Sequence, residues 1–150
     1  IDRPYLLYAG GDAPRKRLAW TIELFRELGR TDIVLAVLGV AESAHAALRA
    51  SLPEEIRANV VLLPFVPEED MPALYRNALL TLYPTLYEGF GLPAVKAQAV
   101  GTPILLSAVS SLLELAGPAA VLLEPDDRAG WLDSCRAAIE RRMAALLTRP

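Results

Sequence analysis

Short apolar runs alternate with amphipathic stretches along the whole chain. The runs at 5–9 (YLLYA), 33–38 (IVLAVL), 60–66 (VVLLPFV), 79–83 (LLTLY), 104–106 (ILL) and 120–123 (AVLL) read as strands buried on both faces. The stretches 15–29, 41–52, 68–78, 92–100 and 111–116 carry apolar residues at helical spacing, and a longer one closes the chain from about 127 to 148. A βα unit repeated six times predicts an α/β fold: a doubly wound, Rossmann-like parallel sheet of about six strands, with right-handed crossovers and helices on both faces. No linker, repeat or low-complexity segment interrupts it, so residues 1–150 read as one domain. Ligands of such sheets bind beyond the carboxyl ends of the strands, which directs attention to the loops that follow them.

Composition narrows the partners. At 150 residues the chain can bury a core without disulfides or metal. Its hydrophobic fraction of 53% is high, yet no apolar run reaches the length of a membrane span. A net charge of −3, with acids and bases interspersed, offers no basic stripe for nucleic acid. The lone Cys135 has no partner for an internal disulfide, reads as a small buried residue, and fits a reducing, cytoplasmic setting. The chain shows no signal peptide and opens at Ile1 directly on a strand-like run, so a longer parent protein is expected.

Two loops carry candidate chemistry. In GGDAPRKR, Gly10 and Gly11 permit close backbone approach after the first strand, and Arg15, Lys16 and Arg17 bring cations to a helix start, where an anion would offset their unfavourable position. A bound diphosphate and a solvated basic turn both account for this loop. In YPTLYEGFGLP, Gly89 and Gly91 free the amides around Phe90, Pro93 suits a first helical turn, and Glu88 stands just ahead. A carboxylate there can accept hydrogen bonds from two sugar hydroxyls, or simply favour the helix dipole.

Taken together, YLLYAGGDAPRKRLAWTIELFREL and LPFVPEEDMPALYRNALLTLYPTLYEGFGLPAVKAQAVGTPILLSAVSSLLELAGPAAVLLEPDD resemble the C-terminal, donor-binding domain of retaining glycosyltransferases of the GT-B fold. That group is related to mannosyl- and glucosyltransferases and sucrose synthase. The resemblance covers nearly the whole chain. It implies transfer of a hexose from a nucleotide-diphosphate sugar to an acceptor hydroxyl with retention, without cofactor or metal. It also implies an N-terminal acceptor domain outside this chain, and a segment beyond Pro150 that crosses back onto it, so the isolated domain is expected to be inactive. Arg15 and Lys16 would hold the diphosphate and Glu88 the sugar hydroxyls, with the backbone of Gly89, Phe90, Gly91 and Leu92 against the sugar and distal phosphate. Pro64, Phe65 and Val66 would receive the base, Gly10 and Gly11 would line the donor, and Tyr83 to Thr85 would lead into the site, Thr85 standing where serine is more usual.

Lys96 departs from this pattern. The resemblance expects a second glutamate eight residues after Glu88, accepting the two ribose hydroxyls, and a cation cannot accept them. Loss of that acceptor should cost about 1.5–3 kcal/mol of nucleotide affinity unless Lys96 meets a phosphate. Three readings stand: a divergent donor site, a charge-reversed site with weakened binding, or a lysine reaching solvent without effect. Gln98, in place of a common methionine, and Arg17, in place of a frequent asparagine, are further departures. The alternative function is a nucleotide-binding or interaction module that has lost transferase activity; a sugar-nucleotide epimerase fits the EGFGLP segment less well. His45 reads as a surface residue, Trp20 and Trp131 as packing groups, and Glu68-Glu69-Asp70 and Asp126-Asp127 as helix starts.

Overall fold

The computed structural model describes residues 1–148, so Pro150 and the expectation attached to it lie outside the described residues. Six strands, β1 (Tyr5–Tyr8), β2 (Val34–Val37), β3 (Val60–Leu62), β4 (Leu80–Tyr83), β5 (Ile104–Ser107) and β6 (Ala120–Leu123), form one parallel sheet in the order β3-β2-β1-β4-β5-β6. The helices are α1 (Leu18–Leu28), α2 (Glu42–Ser51), α3 (Glu54–Arg57), α4 (Met71–Asn77), α5 (Leu92–Ala99), α6 (Leu112–Leu115) and α7 (Arg128–Leu147), with a 3-10 turn at Pro14–Lys16 before α1. The strand order reverses between β1 and β4, where Leu6 pairs with Leu80 and Tyr8 with Leu82. This switch point opens a crevice at the carboxyl ends of both strands.

Alternation along the buried strands divides the core. Leu6, Tyr8, Leu35, Val37, Leu80, Leu82 and Leu105 pack with Ile22, Phe25, Trp131 and Ile139 of α1 and α7. Their strand neighbours Leu7, Ala36, Ile104 and Leu106 pack with Tyr75, Ala94, Ala97 and Leu112 of α4, α5 and α6. Each side chain of this size taken fully from water contributes about 1.5–3 kcal/mol, and both faces are therefore committed to the sheet.

Three boundaries differ from the periodicity. The run 60–66 pairs only to Leu62, since Pro64 has no N–H to continue the edge strand and the chain leaves the sheet as a loop. The stretch 15–29 is split at Arg17, whose φ of 62° breaks the helical path and delays α1 to Leu18. Strand β6 is not buried on both faces: it is the other sheet edge, and Val121 and Leu122 are exposed.

The departures at 17 and 98 hold the fold. The Arg17 guanidinium donates to Pro125 O at 2.5 Å and Asp126 Oδ1 at 3.0 Å and lies 4.5 Å from the Trp20 ring. Trp20 meets Trp131 edge-on at 5.3 Å, and the buried Trp131 donates to Glu124 O at 3.0 Å, so α1 is tied to α7 and the loop before it. Gln98 donates to Ala94 O and Leu115 O and accepts from Gly117 N, stapling α5 to the segment after α6. Asp127 caps α7 by accepting from Gly130 N at 3.0 Å. Cys135 is fully buried, and burial pushes its thiol up to about 12. His45 is half-buried rather than a free surface group, its Nε2 lying 3.1 Å from Val40 O. No helix among the described residues is long and apolar enough to cross a membrane.

Candidate functional site

The loops after β1 and β4 meet at the switch point. Leu86 N donates to Arg15 O at 2.8 Å, joining them through the backbone. Tyr8 Oη lies 2.8 Å from Gly11 O and 3.1 Å from Lys16 O, holding the first loop from beneath. Gly10 is required by that arrangement, because a Cβ there would fall inside contact distance of the Tyr8 hydroxyl. In the second loop Gly91 adopts a φ of 93°, and a Cβ would lie 2.5 Å from Leu112 Cδ2. Ser111 Oγ donates towards Phe90 O at 3.0 Å and Glu88 O at 3.2 Å, fixing the loop from α6.

These contacts bring Arg15, Lys16, Thr85 and Glu88 together. Glu88 is 7% exposed, and its Oε1 accepts from Arg15 Nη1 at 2.9 Å and from Lys16 Nζ. Thr85 Oγ1 lies 3.1 Å from the same oxygen and 3.0 Å from Tyr87 O. Lys16 Nζ also donates to Tyr83 Oη at 2.6 Å and sits 4.9 Å from that ring's centre. Burial by itself would raise the Glu88 carboxyl, but hydrogen bonds from Lys16, Tyr83 and Thr85 and the Lys16 charge outweigh it, holding the group below the usual glutamate range. Tyr83, almost wholly buried, has its phenol pushed far up by burial and by the neighbouring carboxylate. The site thus holds a carboxylate and two cations, with the cations paired to Glu88 rather than free.

Beside this cluster lies a cleft of about 750 Å³. Eight of the residues singled out from the sequence line it: Gly10, Gly11, Pro64, Phe65, Val66, Leu92, Pro93 and Lys96. Gly89, Phe90 and Gly91 belong to the connecting loop and do not line the cleft, and Phe90 is exposed. A Cβ on Gly10 would lie 3.2 Å from Lys16 Cβ, so the stem of Lys16 stands beside the part of the cleft that Gly10 lines. Val40, Pro64, Phe65 and Val66 also line the cleft.

Lys96 does not extend freely into solvent. Its Nζ meets Glu68 Oε1 at 2.7 Å. Glu68 and Glu69 precede α4 and only Asp70 adjoins it, without a side-chain cap, so the run Glu68-Glu69-Asp70 is a loop whose first acid pairs with Lys96. The sequence reads Glu68 only as part of a helix start, with no signal for its pairing with Lys96. Nor does it signal Tyr8 and Ser111, whose contacts depend on strand register and on a loop 21 to 23 residues away. Tyr83 is placed by the resemblance only as leading into the site, and its hydroxyl's contact with Lys16 has no signal in the sequence.

Comparison with known proteins adds to this geometry. Residues 2–146 match the family described as Glycosyl transferases group 1. The chain is 34% identical over 127 residues to O-antigen chain mannosyltransferase B of Escherichia coli, covering 82% of this chain and 33% of that protein. It is 38% identical over 93 residues to D-inositol 3-phosphate glycosyltransferase of Mycolicibacterium smegmatis, covering 61% of this chain and 21% of that one. Among solved structures, sucrose-phosphate synthase from Thermosynechococcus elongatus matches with a TM-score of 0.79 at 22% identity, over 95% of this chain and 37% of that chain. HepE from Anabaena in complex with UDP-glucose matches with a TM-score of 0.76 at 17% identity, over 95% and 40%. These structural matches establish a shared fold. The chain spans about a third of the length of the first curated relatives it matches, at 33% and 36%.

Proposed function

The chain belongs to the group 1 glycosyl transferases, and on that premise we propose that it is the donor-binding half of a hexosyltransferase using a nucleotide-diphosphate sugar. The observation that carries the reading is the convergence of Lys16, Arg15 and Glu88 at the switch point beside the cleft. A diphosphate exceeds one carboxylate in charge and competes with Glu88 for both cations. Lys16 and Arg15 then stabilise the charge that develops on the diphosphate as the glycosidic bond breaks, with no resident cofactor or metal. Glu88, relieved of part of its pairing, accepts hydroxyls of the hexose, and transfer proceeds with retention. Relatives named as a mannosyltransferase and a structural match holding UDP-glucose support a hexose donor. The acceptor is brought by an N-terminal domain, the isolated chain turns over little or nothing, and a cytoplasmic setting suits a nucleotide-sugar donor.

Lys96 sits where the resemblance expects a ribose-binding glutamate, and its pairing with Glu68 favours a second reading, in which donor binding is retained at reduced affinity and transfer is lost. Calorimetric titration with nucleoside-diphosphate hexoses tests both. Binding that weakens at least about tenfold when Arg15 and Lys16 are both changed to alanine supports the donor site. Affinity unchanged in that double variant removes the loop after β1 from it. Transfer by the full-length protein separates the first reading from the second.

A further inference from the structure

Tyr75 brings a buried, unpartnered hydroxyl to the cleft. The hydroxyls of the buried Tyr5, Tyr8 and Tyr83 each meet a protein group, namely Leu74 O, Gly11 O and the Lys16 ammonium. Tyr75 is only 2% exposed, yet its hydroxyl has no hydrogen-bond partner among the described residues. Nor is that oxygen sealed: the fully enclosed side-chain oxygens without partners among the described residues are those of Thr81 and Ser107, so Tyr75 Oη touches open space. Tyr75 borders the cleft and a hollow of about 130 Å³ between α4 and α5, and the two share Met71, Tyr75 and Lys96 as walls. The last turn of α4 is pinned, because Tyr5 Oη donates to Leu74 O at 2.6 Å and Thr102 Oγ1 to Tyr75 O at 2.7 Å. The backbone that carries the phenol is therefore fixed before any ligand arrives.

We infer that the Tyr75 hydroxyl binds a neutral sugar hydroxyl of a ligand in the cleft, which on the donor-site reading above is the ribose of the nucleotide. Glu88, to which that reading gives the hexose, does not line the cleft, so the sugar hydroxyls presented there belong to the ribose. Burial and the nearby Glu68 charge push the phenol far up, and it stays a neutral O–H that both donates and accepts. Lys96 on the same wall can only donate, and one of its protons goes to Glu68 Oε1 at 2.7 Å. Tyr75 thus supplies the acceptor that Lys96 cannot, while the remaining Lys96 protons serve the oxygens of the same diol. A phosphate at this wall would meet the Glu68 carboxylate as well as the ammonium, whereas a diol carries no charge to be repelled.

Calorimetric titration with UDP, GDP and ADP, each beside its 2′,3′-dideoxy form, tests the inference on the unmodified chain and on Tyr75→Phe, which keeps the ring and removes the hydroxyl. The ratio of affinities within one protein is the readout, so any loss of folded fraction in the variant cancels. Expected, for whichever base binds, is a ribonucleotide about fivefold or more tighter than its dideoxy form in the unmodified chain, a ratio that falls toward one in Tyr75→Phe, and a dideoxy affinity that stays within about twofold. A ratio near one in the unmodified chain, or a ratio unmoved by the substitution, overturns the inference and leaves the donor site standing. Absence of binding by all of these nucleotides overturns both.

Discussion

Lys16 and Glu88 stand 72 positions apart, yet the Lys16 ammonium donates to Glu88 Oε1 with the two side chains only 13% and 8% exposed. A pair so withdrawn from water has given up much hydration and depends on the remaining hydrogen bonds for compensation. Arg15, Thr85 and Tyr83 supply them. Lys16 and Arg15 are thus both neutralised by Glu88, and under the proposed donor-site reading a diphosphate replaces one ion pair with another.

Under that reading Glu88 is a competitor as well as a contact. Glu88→Gln should free Lys16 and Arg15, tightening a bare nucleoside diphosphate about three- to tenfold while erasing most of the added affinity for the sugar nucleotide. Calorimetry with the two ligands reads both effects. An equal weakening of both would mean that Glu88 serves only to hold the loop.

The same carboxylate should appear in the acid limb of stability. Its folded pKa lies below the usual value of about 4.3, so its contribution is fully present above that value and is lost as pH falls through the lower, folded one. The gap in Tm between the unmodified chain and Glu88→Gln should therefore be constant from neutrality down to about pH 5 and narrow only under more acid conditions. A gap that widens on acidification would contradict the direction of the shift.

Much of this molecule is legible in its sequence for a physical reason. Strands covered on both faces must be largely apolar, so β1, β2, β4 and β5 stand out as apolar runs, and the loops after β1 and β4 identify themselves by glycine and charge. The four-residue α3 leaves no periodic trace. Arg17 in the left-handed region is invisible because arginine carries no preference for it; only the contacts to Pro125, Asp126 and Trp20 explain its tolerance. Pairings such as Lys96 with Glu68 depend on how α5 packs beside the loop after β3, which local pattern does not encode.

Tyr83 is the clearest residue to test for positioning without contact to ligand. Its hydroxyl accepts from Lys16 at 2.6 Å, while its ring stays in the core. Tyr83→Phe should keep the packing and cost about 1 kcal/mol of stability in thermal denaturation, with Lys16 released to lie against Glu88 alone. Because Tyr83 helps hold the Glu88 carboxyl down, the acid limb of the stability profile should move to higher pH in this variant. An unmoved acid limb would confine Tyr83 to packing.

Lys96 offers the sharpest separation of inherited geometry from local charge. Considered by itself, Lys96→Glu supplies an acceptor for two ribose hydroxyls, with an expected gain of about 1–3 kcal/mol in nucleotide affinity. The structure adds a cost, because Glu68 then faces a second carboxylate where it now meets an ammonium at 2.7 Å. Both groups are partly solvated, 32% and 78% exposed, so the stability loss should stay below about 1 kcal/mol. The repulsion would still turn the new carboxylate from its intended position, and the affinity gain should be small in the single variant. Pairing Lys96→Glu with Glu68→Lys restores an ion pair with its ends exchanged and should release the full gain for a nucleotide, with almost none for its 2′,3′-dideoxy analogue. A double variant that binds both ligands more tightly to the same degree would trace the effect to general charge. One that binds the nucleotide more weakly than the unmodified chain would assign the phosphate to Lys96 itself, and with it a donor site built on a cation where the resemblance expects an acid.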